Sequence, residues 1–580
     1  MSRLATLAPH AVDFAFHEPA RPAWAAPENA PDAPADDGAH LFAGLPPLYA
    51  GHPDVHLRRG IMQAAQRAAE HVPDAEQAFF VADLAEVYRQ HQRWRAALPD
   101  VQPFYAVKCN PDPYIIRLLA ALGAGFDCAS NNEISTVLGA GPISPTNIIF
   151  ANPCKALSFI RAAARARVDT CTFDNADELA KLARAHPRAR AVLRILTDDS
   201  KSLCAFGVKF GAPLSAVPAL LARAKALGVN VVGVSFHVGS GCYDPAVYTD
   251  ALARARAAFA LGAAAGFTFD LLDLGGGFES ASFAHAARVI RAGLERYFPE
   301  REREGVRVIA EPGRYYVATA FKLAACVIAR RAPAESAPVF APASSPASLP
   351  PAAPARDAQA PMIAPAVPPA PAPSGSPSAG VGVGGTVAKA LRLAAGALTR
   401  RAPTKEKEGR DKQHGAEVPA APPPPAVGAA TAGEGDAAPE VMYYINDGVY
   451  GAFNCILFDH QHITPYVLSL GGSFHVPSSP SSQNTPTQNT TLTRASVWGP
   501  TCDSIDLVCP STALPSSLRV GDWLGFENMG AYTRCAASMF NGFEVSRVVY
   551  TAGGAGAGEV RGVLGGWAAR EGEGAGEDKM

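Results

Sequence analysis

Paired cysteine motifs are missing from this sequence. Its eleven cysteines are scattered, in contexts such as Lys108-Cys109-Asn110 and Asp127-Cys128-Ala129, with neither a CxxC pair nor a dense framework. That argues against a disulfide scaffold and for reduced thiols. No apolar run approaches the roughly 20 residues a membrane helix needs. The N-terminus has one early arginine, Arg3, and is then interrupted by Asp13, Phe14 and Phe16, so no signal peptide is expected. Charge of one sign is also lacking. The 51 basic and 53 acidic residues leave a net −2, which gives no footprint for a nucleic acid or another polyanion. The expectation is a soluble, cytoplasmic protein without a membrane or nucleic-acid partner, and no metal is expected.

Glycine and proline, by contrast, are abundant (52 and 51) and unevenly placed, so much of the 580-residue length is not folded core. Residues 1–40 read as a disordered tail rich in Ala, Pro and Asp. Residues 331–440 carry runs such as Pro350-Pro351 and Pro422–Pro425 with few large apolar side chains, which cannot offset the entropy of ordering. Within them Val387–Arg401 could form one short basic helix, either transient or partner-binding. A polar loop is expected over 471–494 and a Gly- and Glu-rich disordered tail over 551–580.

Between these stretches the chain alternates. Apolar runs at Phe104–Val107, Ala191–Leu196, Val231–His237, Leu271–Leu274 and Arg307–Ala310 are separated by helical stretches such as Asp177–Ala185 and Ala246–Ala265. Strand–helix alternation predicts a parallel α/β sheet. Polar or Gly-rich residues follow the runs: Lys108, His237, Gly275 and Glu311. A parallel barrel collects all its strand C-termini on one face, where these residues would converge. The barrel is favoured over a doubly wound open sheet. From Val441 to about Tyr550 the sequence reads as mainly β.

The lysine in Pro103-Phe104-Tyr105-Ala106-Val107-Lys108 ends an apolar strand. It is either a snorkelling surface residue or a desolvated amine of lowered pKa, suited to a Schiff base. The fragment by itself favours the surface; its companions reverse that. Gly275, Gly276 and Gly277 let backbone approach an anion and offer it N–H groups. Glu311-Pro312-Gly313-Arg314 adds a second close-approach glycine, a guanidinium and a carboxylate. His237 and Ser240 add an imidazole and a hydroxyl. Singly, each has a plain structural reading: a turn, a salt bridge, a satisfied histidine. Together they suit a phosphorylated aromatic aldehyde, pyridoxal 5'-phosphate (PLP): the amine forms the imine, the loops hold the phosphate, and Glu311 pairs with the ring nitrogen. Downstream, Trp498-Gly499-Pro500-Thr501-Cys502-Asp503 offers a thiol as proton donor, and Phe458-Asp459-His460 another acid. Asp459 and Asp503 would suit a substrate with a distal ammonium group.

The ordered set PFYAVKCN, FDCAS, LRILTDDSKS, VVGVSFHVGSGC, LDLGGGF, IAEPGRYYV, YINDGVYGAFNCILFDH, VWGPTCDSID and GDWLGFENMGAYT resembles the eukaryotic ornithine decarboxylases, of the fold-type III PLP enzymes. The resemblance runs from about Phe79 to Arg330 and from Met442 to about Val549. It implies a PLP-binding (β/α)8 TIM-like barrel over 84–320 and a modified β-barrel domain from 41–83 and 321–550. It also implies a homodimer with shared active sites that turns L-ornithine into putrescine and CO2, the first step of polyamine biosynthesis. By motif, Lys108 resembles the Schiff-base lysine, His237 the stacking ring and Glu311 the ring-nitrogen partner. Ser240, Gly277, Gly313, Arg314 and Tyr532 resemble phosphate contacts; Asp127, Glu133 and Arg194 resemble supporting residues. Cys502 resembles the proton donor from the other subunit. Asp459 and Asp503, with Phe458 beside them, resemble the substrate-binding residues, and Lys209 with Asp506 a pair bridging the dimer.

Two rivals remain open. One is a decarboxylase of lysine, arginine or diaminopimelate. The other is a non-catalytic homologue that binds antizyme, a candidate partner in either case. Against the second, Lys108, Asp127, Arg194, His237, Arg314 and Cys502 are all present. The Ala156–Val168 helix lies in a plausible antizyme contact region and equally reads as a plain surface helix.

Overall fold

The computed structural model describes residues 38–332, 439–475, 491–554 and 556–577. The expected N-terminal tail, the body of the 331–440 insertion with its Val387–Arg401 helix, and residues 476–490 lie outside that range. The borders of these stretches are more regular than expected. Ala39 bridges Leu48, Ser473 and Phe474 pair with Leu470 and Ser469, and Leu492 already pairs with Pro515.

Eight parallel strands close a barrel: β1 (Val101–Ala106), β2 (Gly125–Cys128), β3 (Ile148–Phe150), β4 (Thr170–Phe173), β5 (Arg190–Arg194), β6 (Asn230–Ser235), β7 (Leu271–Asp273) and β8 (Arg307–Ala310). Each pairs with the next, and β8 returns to β1 through Val308, Ile309 and Ala310 against Val101, Gln102 and Pro103. Phe104, Ile149, Val192, Val232, Leu271 and Ile309 make a small core of their own, one residue from each of six strands. Helices follow the strands as the alternation predicts. Several start on side-chain caps: Asp112 accepts from the N–H groups of Tyr114 and Ile115, Ser130 from Glu133, and Asn175 from Glu178. Such caps contribute about 1 kcal/mol each. The expected open-sheet alternative is thereby excluded.

The second domain is a mixed ten-stranded sheet that branches at Phe321–Arg331, the strand leaving the barrel. That strand pairs with Phe79–Asp83, which enters the barrel, with Val441–Ile445 and with Trp523–Phe526. The helix Pro53–Ala69 lies on the sheet over Phe79, Val81, Ala324, Tyr466 and Trp523, burying Leu57 and Ile61. The sheet domain also grips the turn just past Lys108. Tyr532 N–H donates to the Cys109 carbonyl at 3.0 Å, and the Asn110 carboxamide donates to the Gly530 carbonyl at 2.9 Å.

One expectation is overturned. The C-terminal stretch, read as a disordered tail, contains a helix over Ala557–Glu577. Val560, Leu564 and Trp567 are buried at spacings of four and three, one stripe of a helix. The indole N–H of Trp567 donates to the Ala140 carbonyl at 2.8 Å, and Glu571 pairs with Arg117 at 3.1 Å. Gly558, Glu559, Gly562 and Gly566 are exposed before and between these residues, and the segment's glycine and glutamate content hid the pattern. Among the described residues no helix is long and apolar enough to cross a membrane.

Replacing Trp567 with alanine removes this anchor and leaves the Ala140 carbonyl unpaired, a loss of about 3 kcal/mol or more. Urea melts should show a lower midpoint at unchanged slope; a loss below about 1 kcal/mol would mean that the helix is not part of the folded core.

Candidate active site

The carboxyl ends of the barrel strands form a cleft lined by Lys108, His237, Ser240, Gly276, Gly277, Glu279, Glu311, Gly313, Arg314 and Tyr532. Lys108 sits in the short turn Val107–Cys109 after β1. Its amine is ion-paired to Asp127, which is next to last in the adjacent β2 and has no exposed surface, while 38% of the lysine side chain stays open to the cleft. Lowering of the Lys108 pKa is not what the structure gives. Burial pulls the amine down, but Asp127, then Tyr532 and Glu311, outweigh it and the pKa is raised. The amine is a held ammonium. The second Asp127 oxygen is buried without a hydrogen-bond partner.

Across the barrel, the Gly275–Gly277 turn follows β7. Gly275 has φ +63°, and a Cβ there would lie 2.0 Å from the Phe236 carbonyl; Gly277 has φ +102° and would meet the Gly239 carbonyl at 2.8 Å. Only glycine fits either place. The turn runs against His237, whose Nδ1 accepts from the Gly239 N–H at 2.9 Å, which leaves the proton on Nε2. Burial, with the nearby charges of Arg194 and Lys108, holds this imidazole well below its usual pKa, so it is neutral. Glu311 follows β8 and is pushed well above the carboxylate range by burial, then by Asp127 and Asp273.

Arg314 opens the next short helix and is 7% exposed. Its Nε lies 3.0 Å from Glu279, its Nη2 is paired with Asp459, and its guanidinium sits 5.2 Å above the Tyr532 ring. Although burial opposes the charge, Asp459 and Glu279 raise this pKa further. Tyr532 is itself in the left-handed region (φ 54°), unusual for an aromatic residue and fixed here by its bond to Cys109. The cleft therefore has a cationic, glycine-lined end and an acid-lined wall on either side of one flat neutral ring.

Of the remaining expected residues, Glu133 accepts from the Ala129 N–H beside Asp127, Arg194 ends β5 with its guanidinium over Phe210, and Ser240 starts the strand Ser240–Cys242. The Pro312 carbonyl accepts from Ala106 N–H at 3.2 Å, and a Cβ on Gly313 would sit 2.9 Å from Cys109. Cys502, Asp503 and Phe458 do not line the cleft of their own chain. Cys502 is exposed, Phe458 is 71% exposed, and the Asp503 carboxylate, held below the usual range, accepts from the Tyr450 hydroxyl. The Lys209–Asp506 pair does not form within the chain. Lys209 lies over Phe210, and Asp506, 1% exposed, accepts from Val449 N–H, Thr501 N–H and the Thr501 hydroxyl. Its carboxylate ties its own loop to the segment that carries Val449.

Sequence reading missed two acids. Asp273 closes the run Leu271–Leu274, and a carboxylate inside an apolar run was the signal. Glu279, two residues beyond the glycines, carried none until Arg314 was placed beside it.

Comparison with known proteins agrees with this geometry. Residues 84–318 match the family described as the pyridoxal-dependent decarboxylase pyridoxal binding domain, and residues 424–530 its C-terminal sheet domain. The chain is 41% identical to an ornithine decarboxylase of Schizosaccharomyces pombe, over 85% of this chain and 88% of that one. It is 40% identical to antizyme inhibitor 2 of Xenopus laevis, over 85% of each. Among solved structures, an arginine decarboxylase of Paramecium bursaria Chlorella virus superposes with a TM-score of 0.60 at 26% identity, over 84% of this chain and 98% of that one. The cofactor is pyridoxal phosphate, and the residues present fit it: a cradle that any Cβ would fill, a buried guanidinium, a lysine, and buried carboxylate oxygens on Asp127 and Asp273 without partners.

The depressed His237 pKa has a consequence for stability. Its folded pKa lies below the unfolded one, so the unfolded chain binds the extra proton and stability is lost as pH falls below about 6.5. In the cofactor-free protein, His237→Asn should flatten this fall by up to about 1.4 kcal/mol per pH unit. Equal acid slopes in thermal melts of the two proteins would contradict a buried neutral imidazole.

Proposed function

The chain belongs to the pyridoxal-dependent decarboxylases, in the family of the eukaryotic ornithine decarboxylases, and on that premise we propose that it converts L-ornithine to putrescine and CO2 and so opens polyamine biosynthesis. The observation that carries this is the convergence of Lys108, Asp127, His237, Glu311 and Arg314 on one cleft in a chain about 40% identical to ornithine decarboxylases.

When bound, pyridoxal phosphate supplies an electron sink for the pair left behind as CO2 departs. The chain supplies the rest. Lys108 would hold the cofactor, and Asp127 keeps the amine at the cleft. Arg314, Ser240 and the glycine turns hold the phosphate, with Gly313 and Tyr532 completing that wall. Neutral His237 offers a flat face without adding a second positive charge next to Lys108. Glu311, beside the Arg194 charge, would meet the ring nitrogen, and Glu133 holds the Ala129 N–H next to Asp127. Asp459, from the sheet domain, lies close enough to Arg314 to link the phosphate end to the substrate's distal ammonium.

Cys502 returns the proton to the carbon that lost CO2. Its exposure outside its own cleft supports delivery by a partner subunit, together with Asp503 and Phe458. The working unit is then a homodimer with shared sites. Lys108→Ala and Cys502→Ala should each be nearly inactive alone, and mixing the two proteins under exchange should restore turnover, because one hybrid site keeps both residues. No recovery, with dimers verified by sedimentation, would place Cys502 elsewhere.

The substrate is tested by offering ornithine, lysine, arginine and diaminopimelate to the purified protein. Ornithine should give the highest kcat/KM, with some lysine turnover, since one methylene is worth only about 1–3 kcal/mol of discrimination. Faster turnover of any other amino acid would overturn the assignment. Failure on all four would favour the antizyme-binding reading that the likeness to antizyme inhibitor 2 keeps open.

A further inference from the structure

Asp273 is a buried carboxylate bonded to the glycine turn that lines the cleft, and it has no assigned part in the chemistry. It ends β7 with none of its surface exposed. Its Oδ1 accepts from the Gly275 N–H at 2.9 Å, and the Gly275 carbonyl accepts in turn from the Glu311 N–H at 2.6 Å. Two bonds thus link Asp273 through the glycine turn to the backbone of Glu311. Its Oδ2 is buried and receives no N–H or hydroxyl donor, and the Asp273 carboxyl lies within side-chain hydrogen-bond reach of Glu311.

The charges around it do not balance. Asp127 from β2, Asp273 from β7 and Glu311 after β8 are three buried acids; Arg194 from β5 and Lys108 after β1 are the facing bases. Asp127 and Lys108 are paired with each other. Two buried carboxyls facing one guanidinium cannot both stay ionised, and such a pair titrates as a unit.

We propose that Asp273 is a positioning residue for the cofactor ring: it pins the Gly275–Gly277 turn and shares with Glu311 one proton, which the pair presents to the ring nitrogen. The inference rests on the reading that this cleft binds pyridoxal phosphate. The proton balance closes. With the cofactor bound, Glu311 would give its proton to the ring nitrogen, the pair would pass from one negative charge to two, and the positive charge gained at the nitrogen would offset the change. No proton is drawn from solvent.

The test compares Asp273→Asn, which keeps an acceptor for the Gly275 N–H but cannot share a proton, with the wild-type protein. The first readout needs no cofactor. Burial, opposed by the Gly275 N–H, raises Asp273 to about 7. A carboxyl raised in the folded state binds its proton more tightly there, so wild-type stability falls as pH rises from the ordinary carboxylate range through 7. The Tm of Asp273→Asn minus that of wild type should therefore rise between about pH 5 and 7 and then level off. The second readout is proton uptake when pyridoxal phosphate is added to apoprotein in dilute buffer. The variant should take up more than wild type, by up to about one proton. The third is a kinetic split: kcat at least about tenfold lower, with KM for ornithine within about threefold.

A flat Tm difference, or equal proton uptake, overturns the proposal. If Asp273→Asn does not fold, the cofactor-free melt is repeated with Glu311→Gln, since removing either acid ends the sharing; a flat Tm difference there overturns the proposal. Should wild type itself fail to bind pyridoxal phosphate, the reading of the cleft falls, while the cofactor-free melts still decide whether the two acids share a proton.

Discussion

The site depends on an ion pair made across two neighbouring barrel strands, Lys108 with Asp127. A charge pair of this kind is a poor way to stabilise a fold. The desolvation of both groups costs several kcal/mol, and apolar replacements of similar size are often as stable or more so. Its value here is positional. Asp127 is fully buried, so it cannot follow the lysine; the lysine, part of which stays open to the cleft, must come to it. The rest of the electrostatics follows from that fixed point. The ammonium helps to hold His237 neutral, and the Asp127 carboxylate helps to push Glu311 up.

The two domains share the work of placing this pair. The barrel brings six strand ends together, but the turn that carries Lys108 is closed from the other side by the segment around Gly530 and Tyr532. A Cβ on Gly530 would fall 1.8 Å from the Val317 carbonyl, so the contact leaves no slack. The same segment supplies Tyr532 to the Arg314 wall, and the sheet domain supplies Asp459. Damage to the sheet domain should therefore reach the lysine without touching the barrel.

Much of this was legible in the sequence, because a parallel barrel turns a one-dimensional pattern into a place. Polar residues at the ends of apolar runs become neighbours, as Lys108, His237, Gly275 and Glu311 did. Where that rule does not apply, the sequence was mute. Asp273 was passed over as a single acid inside the apolar run Leu271–Leu274. The direction of the Lys108 shift depended on Asp127, nineteen residues away, and not on burial alone. The C-terminal helix was lost in its own glycine content, although Val560, Leu564 and Trp567 carried a helical spacing. Composition averages over all faces of a helix, whereas packing needs only one.

The most direct test of the central ion pair is the pH dependence of Lys108 modification by an amine-selective reagent in the cofactor-free protein, followed by peptide mass spectrometry. Labelling follows the free amine, which for an ordinary lysine appears near pH 10.4. Held by buried Asp127, Lys108 should label at higher pH than exposed lysines of the same chain, and Asp127→Asn should bring it below them. If wild-type Lys108 labels at or below the pH of the exposed lysines, it is a desolvated neutral amine and not a held ammonium, and the charge balance of the whole cleft would have to be drawn again.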